Sequence, residues 1–195
     1  AYRGREGPVH VSTLGDMRDP LSDAFHAACV SAGIPANHDY NGERYEGVGY
    51  LQLNTRHGQR CDTATAYLNG RRAEHLHVVT EATVTRVLFE GRRAVGVEVV
   101  QGGAKRQIRA RKEVIVSSGG LLSAKLLQLS GVGDGALLQR MGIPVVAHLP
   151  AVGQHLQDHV DVILGHHIPG DPHLLGLTPT GALNLWRAIR RWRQE

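Results

Sequence analysis

"SSGGLLSAKLLQLSGVG" (residues 117–133) follows directly on "KEVIV" (112–116). Val114, Ile115 and Val116 are β-branched, and so short an apolar run reads as a buried strand over 113–116. Ser117, Ser118, Gly119 and Gly120 then leave the chain almost bare of side chains, which lets another surface approach the backbone closely. Leu122, Leu126 and Leu129 recur at i, i+4 and i+7, one face of a helix. Gly131 and Gly133 are expected to end it as C-terminal cap glycines do. The unit is strand, tight turn, helix, and in open α/β sheets ligands sit at the carboxyl ends of strands, where such turns lie. Two readings stay open from these residues alone: a turn that contacts a nucleotide, and a closely packed strand-to-helix connection.

Upstream lies the most β-like part of the chain. Residues 75–91, 92–103 and 105–116 carry alternating or β-branched residues, with Gly91 and Gly102-Gly103 at the turns. This predicts an antiparallel meander running into the 113–116 strand. Further out, 7–12 and 50–54 read as short strands, and 143–148 as another. Helices are expected over 19–33, with Pro20 in the first turn and Gly33 at the end, and over 59–68, 135–142 and 182–194.

Composition narrows the function classes. The chain has 195 residues, 42% hydrophobic, enough for a sizeable core. Aromatics are only 5%, too few for stacking platforms, and the net charge of +4 is mild, so the sequence argues against a nucleic-acid partner. Cys29 and Cys61 form no CxxC, which fits reduced thiols in a cytoplasmic protein. No run of 18 apolar residues exists to span a bilayer, and the first residues have no apolar segment of a secretory signal. The basic helix at 182–194 leaves peripheral adsorption to anionic lipid open beside packing at an interface.

Histidine is conspicuous, with 12 in the chain. On a helix, His155 and His159 would share a face at i, i+4 beside Asp158 and Asp161, the spacing of a metal pair, but no HExxH is present. The alternative is hydrogen bonding at a turn. The His166-His167 doublet reads as solvated loop, and of His75 and His77 one is expected to face water. There is no GxSxG, Walker A or GxGxxG, so spacing alone assembles no catalytic set.

Four segments together resemble a known family, the glucose-methanol-choline (GMC) FAD-dependent oxidoreductases, in the branch of choline and alcohol dehydrogenases. "GGLLSAKLLQLSGVG" (119–133) is similar to the family's second signature at Gly119, Ser123, Leu126, Leu127, Ser130, Gly131 and Gly133. "LPAVGQHLQDH" (149–159), "GQRCDTATAYL" (58–68) and the strand pair at 78–99 resemble its other conserved segments in the same order. Three positions depart: Ala124 where proline is usual, His155 where asparagine is usual, and Thr63 where serine is common.

The resemblance implies an α/β (α+β mixed) fold. It would comprise part of an FAD-binding, Rossmann-like domain with a β-meander, and part of a sheet-and-helix substrate domain. Residues 1–72 and 151–195 would then belong to the substrate domain and 73–150 to the FAD domain. FAD is the implied cofactor. Ser117, Ser118 and Gly119 would form the turn beside its adenosine end, and the main chain of Val84 would face the adenine. The implied reaction is oxidation of a small alcohol, choline-like or aliphatic, to an aldehyde with hydride transfer to flavin. No catalytic residue carries over, because none of the histidines matches the family's catalytic motif. That motif and the GxGxxG unit are expected in N- and C-terminal segments of the same enzyme that this chain lacks. Strand 113–116 without those neighbours would be an exposed edge, and the chain alone is expected to be poorly stable. Two other classes stay open: a truncated binding or interaction module, and a metal-dependent hydrolase using His155, Asp158 and His159.

Overall fold

The computed structural model describes residues 4, 6–13, 20–70, 75–165 and 178–192. The His166-His167 doublet and the last residues of the basic C-terminal segment lie outside them. Two compact units separate at Leu76/His77 and Leu164/Gly165.

The first unit is built from short pieces. Strand β1 (Ser12–Thr13) is followed by helix α1 (Pro20–Ser31) and pairs antiparallel with β2 (Gln52–Leu53). Gly33 ends α1 as expected. At φ +91° it donates its N–H to Val30 O (3.0 Å), while Ile34 donates to Cys29 O (3.0 Å), the paired bonds of a Schellman motif. Leu21 and Phe25 are exposed, and no α1 residue is buried.

The reading of 59–68 as one helix is corrected. β3 (Thr55–Arg56) and β4 (Gln59–Arg60) form a hairpin through His57-Gly58, both at positive φ (+50° and +67°), as the tightest hairpin turn demands. Helix α2 (Thr63–Tyr67) starts later, because Asp62 caps it by accepting from Thr65 N (2.7 Å).

The second unit, His77–Leu164, opens on the expected meander. β5 (Ala82–Glu90), β6 (Arg93–Gln101) and β7 (Ala104–Arg109) pair in that order, all antiparallel. Gly91 stands at φ +60° in the first turn, and Gly102 and Gly103 both adopt positive φ in the second. The β5–β6 register shifts twice. Val84 pairs with Val99 but Arg86 with Glu98, leaving Thr85 as an extra residue on β5; Leu88 pairs with Gly96 but Phe89 with Ala94, leaving Val95 as an extra residue on β6. The two bulges cancel, so both hairpin ends keep one register while the middle bends.

Here the structure corrects the leading expectation. β7 stops at Arg109, and 113–117 forms no strand and belongs to no sheet. Val114 and Val116 are half-buried, whereas Ile115 is 77% exposed. The run has strand composition, but among the described residues no strand pairs with it, and a lone strand has no ladder to hold it.

Helix α3 (Gly119–Leu129) follows, then β8 (Val132–Gly133), α4 (Gly135–Arg140) and β9 (Ala147–His148), with β8 and β9 parallel. Gly133 is therefore a strand residue rather than a helix stop. Of the strand expected at 143–148 only Ala147–His148 forms, because Pro144 has no N–H to give a ladder. The core of this unit holds Val87, Val99, Leu126, Val132 and Leu138, the last 1% exposed. The final helix is α5 (Pro179–Trp192). Among the described residues no helix is long and apolar enough to cross a membrane.

Candidate functional site

β5 lies at the edge of its sheet, and its outer side must be covered or left open to pairing. The chain covers it with the end of α3. Buried Ser130 donates its hydroxyl to Leu126 O (2.6 Å) and accepts from Val87 N (2.8 Å). One side chain thus closes a helix terminus and satisfies a strand N–H that would otherwise be buried without an acceptor. Gly131 makes the exit possible. It sits at φ +89°, and a Cβ there would lie 2.3 Å from Pro144 O. Its own carbonyl accepts from Val146 N (2.8 Å) and Ala147 N (3.1 Å). Residues 130–131 thereby tie α3 to the sheet on one side and to β9 on the other.

At its other end α3 is open. Ser118 precedes the helix, but its side chain makes no capping bond; its backbone N–H donates instead to Ser123 Oγ (3.1 Å). Gly119 has φ +80°, and nothing lies within 4 Å of where its Cβ would stand. Ser117, Ser118 and Gly119 are all exposed. The first N–H groups of an eleven-residue helix therefore face an uncrowded turn, at the end where the helix dipole is positive. A group approaching Gly119 meets no side chain where its Cβ would stand, which leaves room there for the adenosine part of FAD.

Val84 lies on β5 next to the Thr85 bulge and is 39% exposed. Thr85 Oγ1 donates to Glu98 Oε1 (2.6 Å) and pins the bulge to β6. That hydrogen bond, with the charges of Lys105 and Arg86, holds the Glu98 carboxyl below the usual carboxylate range against the opposing effect of desolvation. The structure thus puts all four expected residues in one unit: Val84 on the sheet edge that α3 covers, and Ser117–Gly119 at the far end of α3, about 16 Å of helix from Ser130.

The histidine pair is not brought together. His155 has φ +58°, and 154–164 is exposed and forms neither helix nor strand. Among the described residues no three His, Cys, Asp or Glu side chains gather as a metal would require. Sequence reading missed other positioned groups. Asp134 caps α4 through Ala136 N (3.1 Å), and His148 Nδ1 accepts from Gly135 N (2.9 Å). An aspartate just before a helix was a legible signal; the histidine, thirteen residues away, was not.

The family model for GMC oxidoreductases matches residues 1–161. The chain belongs to the GMC oxidoreductase family. Human mitochondrial choline dehydrogenase is 46% identical over 164 residues, 84% of this chain and 27% of that protein. The oxygen-dependent choline dehydrogenase of Pseudomonas fluorescens strain Pf-5 is 47% identical over 167 residues, 84% of this chain and 30% of that protein. Among solved structures, pyridoxine 4-oxidase from Mesorbium loti superimposes with a TM-score of 0.71 at 31% identity, over 75% of this chain and 29% of its own. Formate oxidase does so with a TM-score of 0.65 at 29% identity, over 74% of this chain and 25% of its own. The chain thus spans less than a third of the relatives it matches. The mixed α/β fold is that of the GMC oxidoreductases, and FAD is the cofactor of the family.

Proposed function

We propose that this chain is part of an FAD-dependent dehydrogenase that oxidises a small primary alcohol, choline-like or aliphatic, to an aldehyde. Within it, residues 73–150 contribute part of the FAD domain, and 1–72 and 151–195 belong to the substrate domain. The observation that carries the reading is the open turn Ser117–Gly119. It stands at the start of a helix whose other end is fixed to β5 by Ser130, in a chain of the GMC family. The similarity to choline dehydrogenases supports the substrate class.

FAD, when bound, supplies the acceptor for hydride from the alcohol carbon. The residues of this chain bind and orient. Ser117, Ser118 and Gly119 would hold the adenosine end against bare backbone, where any larger side chain would stand in the way. The main chain of Val84 would offer its polar groups to the adenine edge, on a strand bent by the Thr85 bulge. Ser130 and Gly131 position both by fixing α3 against β5.

The test is calorimetric titration of the protein with FAD and with ADP, comparing wild type with Ser118→Leu and Gly119→Val. Loss of at least tenfold in affinity for both ligands, with the circular dichroism unchanged, is expected. Unchanged affinity in both folded variants would remove the turn from the cofactor site.

A further inference from the structure

Two serine hydroxyls accept backbone N–H groups at α3, and they do so for different ends of the helix. Ser130, at its end, accepts from Val87 on β5. Ser123, within its second turn, accepts from Ser118 N (3.1 Å), the residue just before the helix. A serine inside a helix ordinarily turns its hydroxyl to solvent or to the carbonyl four residues back. Here the oxygen takes an N–H from five residues back. The chain folds sharply enough to allow it, with Ser118 at φ −89° and ψ 13° and Gly119 at φ +80°. Ser123 is half-buried, whereas Ser117, Ser118 and Gly119 are exposed. Among the described residues no other side chain bonds to 117–119.

A turn followed by two glycines has many conformations open to it. A ligand that fits only one of them binds more weakly in proportion to the time the turn spends elsewhere. One hydrogen bond is enough to weight that balance about fivefold. Ser118 makes no capping bond with its own hydroxyl, which leaves that group for a ligand. We infer that Ser123 is a positioning residue for the cofactor turn: its hydroxyl holds Ser118 by the main chain, so that 117–119 is preformed for the adenosine part of FAD. This rests on the reading of Ser117–Gly119 as the cofactor turn. The effect of the bond falls on binding rather than on folding. Ser118 is exposed, so water takes up its N–H when the bond is lost. Alanine at 123 would also suit the helix at least as well as serine.

The test is titration of the full-length protein, its flavin removed, with FAD and with ADP. Ser123→Ala should bind both about fivefold more weakly, with its melting temperature unchanged or slightly raised. Amide exchange at Ser118 should become faster in the same variant. Ser123→Thr keeps the hydroxyl and should restore both the affinity and the slow exchange. Full affinity in Ser123→Ala, while Ser118→Leu and Gly119→Val lose theirs, would overturn the inference and leave the cofactor turn standing. Full affinity in all of these variants would overturn both. A loss in Ser123→Ala that comes with a melting temperature several degrees lower, and that Ser123→Thr does not repair, would make Ser123 a residue of the fold alone.

Discussion

The junction of β5 with α3 and the irregular segment 154–164 are made of the same kinds of residues and meet opposite fates. At the junction Val87 and Val99 are 3% and 2% exposed; in the segment Val160 and Val162 are 96% and 76% exposed. Hydrophobicity does not separate them. Partners within reach do. Val87 and Val97, ten positions apart, face each other across a hairpin, and Ser130 closes the free edge. Segment 154–164 has no strand beside it among the described residues. Val87 is buried because a hairpin partner and Ser130, 43 residues on, both reach it, whereas 154–164 has no such neighbours among the described residues.

The largest effects should fall on the closed side. Leu138→Ala removes the most completely buried large side chain among the described residues and should cost about 3 kcal/mol. Gly131→Ala should cost a similar amount, about 3 kcal/mol, because a side chain at φ +89° is strained and its Cβ meets Pro144 O. Urea unfolding followed by circular dichroism measures both. In the same experiment Val160→Ser and Ile163→Ser should change stability by less than about 0.5 kcal/mol. A large loss at 160 or 163 would break the comparison, because it would mean that the segment is packed in solution.

Ser130→Ala comes next. It leaves the Val87 N–H buried without an acceptor and should cost about 2 kcal/mol. Ser130→Thr keeps the hydroxyl and should recover part of it. If Ser130→Ala costs nothing, the edge of β5 is sealed by packing alone and the hydroxyl is incidental. Amide exchange at Val87 distinguishes the two, since only a broken bond speeds it.

How much of this was legible follows the same division. The meander was readable because its alternation and its Gly91 and Gly102-Gly103 turns are local signals, and all three strands pair as expected. The ends of α1 and α4 were readable too, because Gly33 and Gly142 adopt the positive φ that only glycine takes cheaply. Strand 113–116 was misread for a physical reason: β-branched composition reports what a segment can do, whereas a ladder needs a neighbour. The metal reading of His155 and His159, held open beside hydrogen bonding at a turn, gains no support, because i, i+4 spacing means proximity only on a helix, and His155 at φ +58° is not helical. Of the proposed cofactor turn, the small residues were visible in sequence. The open helix start behind them, and the hydroxyl of Ser130 that anchors its far end, needed coordinates.

The smallest expected effect concerns acid, and it tests whether the bend in β5 is held by a charge. The Glu98 carboxyl is held below its ordinary value of 4.5, first by the Thr85 hydroxyl and then by Lys105 and Arg86. A carboxylate whose pKa is depressed in the folded state stabilises that state above its unfolded pKa, and the benefit fades as pH falls through the folded value. Wild type should therefore lose slightly more stability than Glu98→Gln when pH is lowered from 6 to 3, as read from the two melting temperatures. Thr85→Val removes the hydroxyl donor and should shrink the wild-type response toward that of Glu98→Gln. If all three proteins respond alike, the bulge beside Val84 is fixed by backbone register alone, and Glu98 is a surface charge that happens to lie near it. If they separate in the expected order, the charge helps fix the conformation of the strand proposed to face the adenine.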